Sequence, residues 1–250
     1  MCSSDLSSRN RSSRRSPRGQ VQFDGAELTT LPARRLRPLR RQVQIVFQDP
    51  YGSLNPRLRV ADIVREGLDA LRIGKPDWRD RRVAELLHRV GLPDSAGERF
   101  PHAFSGGQRQ RISIARALAV QPRLLVCDEP TSALDLSIQA QILDLLRDLQ
   151  AELGLAYLLI THNIGVVEYL ADEVAVMYLG RVVEHGPVER VLKNPAHPYT
   201  RALLAAVPRV ALDAPPTWMF CPATMQVSTF SVTSHSRIAP RKRPVSISAS

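Results

Sequence analysis

Val21-Gln22-Phe23 alternates apolar with polar and runs into Asp24-Gly25, which predicts a strand closed by a tight turn. Val43, Ile45 and Phe47 repeat the two-residue period, so Arg40 to Phe47 reads as a second strand. Pro50, Gly52, Asn55 and Pro56 make the next stretch a loop. From Val60 to Val90 the apolar period becomes helical, broken once by Gly74-Lys75-Pro76. Ser105 is placed to cap a helix running to Val120. Leu124–Cys127 is a short unbroken apolar run, the pattern of a strand buried on both faces of a parallel sheet. Ile138 to Leu153 is helical, with Leu143, Leu146 and Leu149 three apart, and Ala156–Ile160 is another apolar strand, ending at Thr161-His162. Val174–Tyr178 and Arg181–Glu184 flank Leu179-Gly180 as a hairpin. Val188–Leu192 and Tyr199–Val207 read as short helices around a proline-rich break, and after Pro208 the pattern fades.

Strands alternating with helices predict an α/β sheet. The helical stretch at about 57–115 reads as an inserted α-helical subdomain within a body spanning 21–208. A leader over 1–20 and a Ser/Pro-rich tail over 209–250 lack periodic apolar residues and are expected to have little order. No internal repeat is visible.

Composition narrows this picture. At 250 residues and 44% apolar, the chain suits one large soluble domain or two small ones. No apolar run approaches the ~18 residues of a membrane helix, and the arginine-bearing N-terminus lacks the apolar core of a secretory signal. Cys2, Cys127 and Cys221 have no metal-ligand spacing, so the reducing cytosol is the default compartment. The net charge of +10 points to nucleic acid only at first sight. The two ends carry +4 each, which leaves +2 for the body. No specific nucleic-acid partner is expected.

The chemistry concentrates at four places. Ser105-Gly106-Gly107-Gln108 opens a helix with two glycines, which lets backbone N–H groups approach an anion closely at a positive dipole end. A plain N-cap on a surface helix is the competing reading. Asp128-Glu129 ends the buried strand, the edge at which open α/β sheets bind ligands. A capped strand-end turn would look the same. His162 and Gln48 follow two other strands. Neither would be informative alone.

Phe104–Arg111 together with Leu124–Pro130 resembles the ATP-binding-cassette (ABC) ATPases, and Thr131-Ser132-Ala133-Leu134-Asp135 adds a match to the D-loop of that family. The resemblance implies a P-loop NTPase-like ABC core binding ATP and Mg2+. By it, Ser105, Gly106, Gly107, Gln108 and Asp135 would contact nucleotide. Asp128 and Gln48 would serve the magnesium, Glu129 would polarise the attacking water, and His162 would reach the γ-phosphate. Gln48 would also link the site to a membrane partner. Val46–Arg57 and His197–Leu204 look like the dipeptide and oligopeptide importer ATPases. That group implies a head-to-tail second ATPase subunit, identical or paralogous, transmembrane permeases, a solute-binding protein acting indirectly, and a site at the cytoplasmic face of the membrane. A nucleic-acid-associated ABC ATPase is weakly favoured by the basic ends and disfavoured by these two segments.

The 250 residues contain no G-x-x-x-x-G-K-[ST] run. The one Gly-Lys pair, Gly74-Lys75, has Asp69 where the first glycine would stand. In the family that phosphate loop precedes the Gln48 strand. The expectation is therefore a core truncated at its N-terminus, with negligible ATPase activity as an isolated chain. It could still act as a signature-donating subunit.

Overall fold

The computed structural model describes residues 20–207, 229–233 and 247–248, and divides into two units. The leader expected over 1–20, apart from Gln20, lies outside the described residues, as does most of the tail expected over 209–250.

The first unit comprises 1–36 and 241–250. Its strands β1 (Gln20–Phe23) and β2 (Ala26–Glu27) form an antiparallel hairpin, with Gln22 opposite Glu27 and Phe23 opposite Ala26. Asp24 and Gly25 turn it at φ 53° and 82°. Both central residues of such a tight turn need positive φ, which is why Asp-Gly serves here. The final strand, β9 (Ile247–Ser248), pairs antiparallel with the other edge of β1.

Helix α1 (Ala33–Gln42) spans the boundary between the units. The sequence did not signal it. Ala33–Gln42 holds five arginines and only Leu36 and Leu39 as large apolar residues, and buries none of its residues fully, so its apolar stripe is too narrow to set a readable period. It takes up Arg40–Gln42, and the strand expected from Arg40 begins only at Val43.

The second unit, 37–240, is built on a six-stranded sheet. In chain order its strands are β3 (Val43–Val46), β4 (Leu124–Asp128), β5 (Ala156–Thr161), β6 (Glu173–Tyr178), β7 (Arg181–Pro187) and β8 (Thr229–Thr233). In space they lie in the order β3-β4-β5-β8-β6-β7. The first three are parallel, with Val43 opposite Leu124 and Leu124 opposite Ala156. β8 is antiparallel to β5 and to β6, so β5 and β6 run the same way. β7 folds back on β6 through Leu179-Gly180, the expected hairpin.

The remaining helices are α2 (Pro50–Ser53), α3 (Val60–Ala70), α4 (Pro76–Arg89), α5 (Gly106–Ala119), α6 (Leu136–Leu153), α7 (Ile164–Leu170), α8 (Val188–Lys193) and α9 (Pro198–Ala205). α2 is a single turn inside the expected loop. Asp49 caps it, accepting from Tyr51 N–H at 2.8 Å and Gly52 N–H at 3.1 Å, and Pro50 sits at the first helical position, where its missing N–H is no loss. The helical spacing of 60–90 becomes α3 and α4, with the break at Gly74-Lys75-Pro76 between them.

The apolar faces of α3, α4, α5 and α6 close on β4 and β5 in one core. Ile63, Leu68, Leu86, Ile112, Leu118, Leu125, Ile142, Leu146, Tyr157 and Leu159 are among its fully buried members. Each such Leu or Ile contributes on the order of 1.5–3 kcal/mol. The Tyr157 hydroxyl donates to the Leu146 carbonyl at 2.7 Å, so the one polar atom of that buried ring is satisfied. A second cluster, Val167, Val174, Val176, Val188 and Val191, packs β6 with α7 and α8.

Candidate functional site

Three parallel strands deliver the site residues to one edge. β3 ends at Val46 and Gln48 follows two residues on. β4 ends at Asp128 with Glu129 next, and β5 ends at Thr161 with His162 next. Parallel pairing puts these C-terminal ends side by side, because Val46 pairs with Cys127 and Asp128 with Ile160.

The side chains meet on Glu129. Gln48 Nε2 donates to its Oε2 at 2.7 Å, and His162 Nδ1 donates to its Oε1 at 3.0 Å. An ionised carboxylate only accepts, so the histidine proton lies on Nδ1 in this arrangement. Glu129 adopts φ +44°, left-handed backbone that the Cβ of any L-residue disfavours by roughly 1–2 kcal/mol. Its N–H donates to the Ile160 carbonyl at 2.9 Å, which extends the β4–β5 pairing one residue past the strand and fixes the turn. Strain of this kind persists where the surroundings over-determine it, commonly at working sites.

Asp128 is half-buried beside this group, and its carboxylate makes no hydrogen bond or ion pair among the described residues. No group of three or more His, Cys, Asp or Glu among the described residues could enclose a metal. That suits magnesium brought in with a nucleotide, since Mg2+ is held by one or two carboxylates together with substrate phosphates rather than by an all-protein cage. The Asp128 and Glu129 pair fits that description.

Ser105–Gln108 sits elsewhere. Among the described residues no hydrogen bond joins it to Glu129, Gln48 or His162. It forms a full capping box: the Ser105 hydroxyl accepts from Gln108 N–H at 3.3 Å, and Gln108 Oε1 accepts from Ser105 N–H at 3.1 Å. Gly107 is buried against Ile138, whose Cγ2 occupies the place a Cβ would need. A Cβ on Gly106 would come within 3.4 Å of Leu134 Cδ2. Asp135 precedes α6, exposed and with no side-chain cap bond, so the glycine pair and the segment ending at Asp135 are neighbours within this chain.

Two arginines escaped sequence reasoning. Arg109 is buried; its Nε donates to the Pro101 carbonyl at 2.8 Å, and its guanidinium lies 3.7 Å from the centroid of the Tyr51 ring. Arg116 Nη1 donates to the Ser53 carbonyl at 2.5 Å, and burial lowers the pKa of Arg116. Both hold the segment after Gln48 against α5. The usable signal was their spacing: residues 109 and 116 are seven apart and share one face of the helix. Cys127, fully buried in β4, has its thiol pushed up to about 12 by burial, which leaves it a small inert core residue.

The family model described as ABC transporter matches residues 10–132, and one described as the C-terminal region of oligopeptide/dipeptide transporters matches 183–218. A Brucella ovis protein named for peptide import ATP binding is 52% identical over 196 residues, covering 78% of this chain and 62% of its own length. The glutathione import ATP-binding protein GsiA of Salmonella typhimurium is 53% identical over 193 residues, 77% of this chain and 31% of its own. The chain thus spans less than two thirds of these relatives.

Among solved structures, the dimeric ATP-binding cassette MJ0796 in a post-hydrolysis state with ADP and Pi aligns at TM-score 0.61 and 31% identity, over 68% of this chain and 73% of that one. The cbiO1 protein of Clostridium perfringens, part of the ABC transporter complex cbiONQ, aligns at TM-score 0.62 and 33% identity, over 69% of this chain and 67% of that one. The strand-end carboxylates, the helix opened by Ser105 and these likenesses agree: the chain belongs to the ATP-binding-cassette (ABC) family, and its segment 183–218 is similar to the C-terminal region of oligopeptide/dipeptide transporters.

Proposed function

We propose that the chain serves as an ATP-binding subunit of an ABC importer for peptides or glutathione at the cytoplasmic face of the membrane. The observation that carries this reading is Glu129, strained at the end of β4 and gripped by both Gln48 and His162. Such a carboxylate is placed to accept a proton from a water aimed at a phosphate. Asp128, next to it and unengaged, would hold Mg2+, which neutralises phosphate charge when bound. Gln48 would share that ion and report its presence to the segment clamped by Arg109 and Arg116. The His162 side chain is 56% exposed and would release Glu129 to reach the γ-phosphate. Ser105, Gly106, Gly107, Gln108 and Asp135 would face the nucleotide of a second ATPase subunit packed head to tail. Permease subunits would complete the assembly, and a solute-binding protein would supply it. Among the described residues no helix is long and apolar enough to cross a membrane.

A second reading is favoured by one observation: the 250 residues contain no G-x-x-x-x-G-K-[ST] run. On it, the chain gives Ser105–Gln108 to a complete partner and does not itself hydrolyse ATP. A fluorescent ATP analogue titrated into the chain with magnesium separates the two. Micromolar binding that is lost in Asp128→Asn supports a self-sufficient site. No binding up to millimolar nucleotide leaves the signature-donating role. That role then predicts an ATP-dependent complex with a full-length relative, abolished by Ser105→Arg. Failure of both experiments would remove the nucleotide reading.

A further inference from the structure

Thr161 is out of character with its place. Side chains alternate along β5, and Tyr157, Leu159 and Thr161 share its inward face. Tyr157 and Leu159 belong to the main core, and Thr161, 5% exposed, continues their row. An apolar β-branched residue such as valine would fill that place with the same shape and no hydroxyl to bury. The threonine hydroxyl accepts from Asn163 N–H, two residues on, at 3.1 Å. That bond gains little for the fold. Asn163 lies at the surface, where water is the alternative partner, and its own side chain already caps α7 by accepting from Gly165 N–H at 3.0 Å. What the Thr161 bond does fix is the residue it spans, His162.

The contact between His162 and Glu129 is sensitive to where that backbone sits. It runs through Nδ1, 3.0 Å from Glu129 Oε1. Nδ1 is bonded to the ring carbon that joins the side chain, whereas Nε2 lies at the far end of the ring. A bond through Nδ1 therefore requires the His162 backbone to lie close to the carboxylate. A backbone set further back would offer Nε2 first. The side chain is 56% exposed, so packing does little to hold the ring in place. We infer that Thr161 is a positioning residue of this site: its hydroxyl holds the His162 backbone where Nδ1, rather than Nε2, bonds Glu129.

The choice of nitrogen has a chemical consequence. With its proton on Nδ1 and directed at Glu129, the neutral imidazole keeps Nε2 as an acceptor. At that atom it can take a proton from a ligand, but it cannot donate to an anion until it has done so. Thr161 thereby sets which nitrogen of His162 is left for an incoming group. Its use in hydrolysis rests on the proposed nucleotide function; the positioning does not.

The test is NMR of the intact chain carrying isotope-labelled histidine, recorded where imidazole is neutral, with His162→Gln to identify the signal. In the parent the proton is expected on Nδ1. Thr161→Val keeps the shape and removes the acceptor, so the ratio of the Nδ1–H to the Nε2–H form should fall at least about fivefold, the equivalent of one ordinary hydrogen bond. Thr161→Ser keeps the hydroxyl and should restore the parent ratio. If the valine variant does not fold, Thr161→Ser against Thr161→Ala, which differ only in the hydroxyl, gives the same comparison. An unchanged ratio without the hydroxyl overturns the proposal. So does a serine variant that behaves like the valine one, since the methyl group would then set the turn. In an assembly that turns over ATP, Thr161→Val should lower kcat at least about tenfold with KM unchanged. Hydrolysis untouched despite a shifted proton also overturns the proposal. If no assembly of the parent turns over ATP, the proposed function falls, and the proton ratio alone decides for Thr161.

Discussion

The two motifs that stand out in the sequence differ in how much of them folding alone accounts for. At Ser105–Gln108 three of the four residues have a local structural task. The serine and glutamine close a capping box, and Gly107 makes room for Ile138. At Glu129 the structure works against local preference: a glutamate holds left-handed backbone, and both carboxylate oxygens are engaged by residues that follow other strands. A motif that folding largely explains says little about ligands, even when its sequence match is close. A motif that folding resists needs another reason to exist. The Glu129 group is therefore the stronger functional evidence, and the helix opened by Ser105 draws its proposed role from family resemblance.

The largest effect should separate stability from function at Glu129. Glu129→Gln keeps the shape and removes the proton acceptor, so hydrolysis in any assembly that turns over ATP should fall at least ~100-fold. Glu129→Gly should abolish hydrolysis as well, yet exceed Glu129→Ala, which lacks the same Gln48 and His162 bonds, by up to about 1 kcal/mol in urea unfolding, because glycine tolerates φ +44°. A glycine variant no more stable than the alanine variant would mean the left-handed turn is not strained, and the contrast with Ser105 would fail.

Next comes Gly107→Ala. Alanine is the better helix former by about 1 kcal/mol, but its Cβ collides with Ile138. A net loss of about 1–2 kcal/mol is expected by chemical denaturation. Combining it with Ile138→Ala should return a coupling of about 1 kcal/mol or more. Additive effects would show that the glycine is not there for packing.

The same contrast explains what was legible. Strands β4 and β5 and helices α3 to α6 announce themselves because burying a face imposes a period, and Leu143, Leu146 and Leu149 could hardly be read otherwise. Helix α1 was missed because Arg34, Arg35, Arg37, Arg40 and Arg41 leave only Leu36 and Leu39 to mark its face, too few to show a period. Helix α7 was missed because it spans only Ile164–Leu170 and begins on the Asn163 side chain, which accepts from Gly165 N–H at 3.0 Å. β8 could not be foreseen, since its alternation gives no hint of a place in the sheet centre. Gln48, Glu129 and His162 could be nominated by strand ends and resemblance. Their convergence on one carboxylate depends on strand order, which no local pattern encodes.

Ser105→Ala tests the other side of the comparison. It deletes one acceptor of an exposed capping box, so a loss of about 1 kcal/mol is expected, with helix content otherwise kept. The loss should be the same with and without nucleotide if the hydroxyl serves only the cap. A nucleotide-dependent part would restore a functional role to it.

The smallest effect concerns Glu184 in β7, which folding explains in the way it explains Ser105. Burial pushes its carboxyl up, but Thr200 and the Ala196 and His197 N–H groups pull further down, so its pKa lies below the ordinary range. The two N–H bonds measure 2.8 and 3.0 Å, whereas the Thr200 hydroxyl acts outside hydrogen-bond geometry. A depressed carboxylate contributes stability above its unfolded pKa and loses it as pH falls through the folded one. Glu184→Gln should therefore destabilise the chain by less than about 1 kcal/mol at neutral pH. The difference from the parent should vanish once acid protonates the folded carboxyl. A difference that persists into strong acid would assign the contact to shape rather than charge, and Glu184 would join Gly107 as a packing residue.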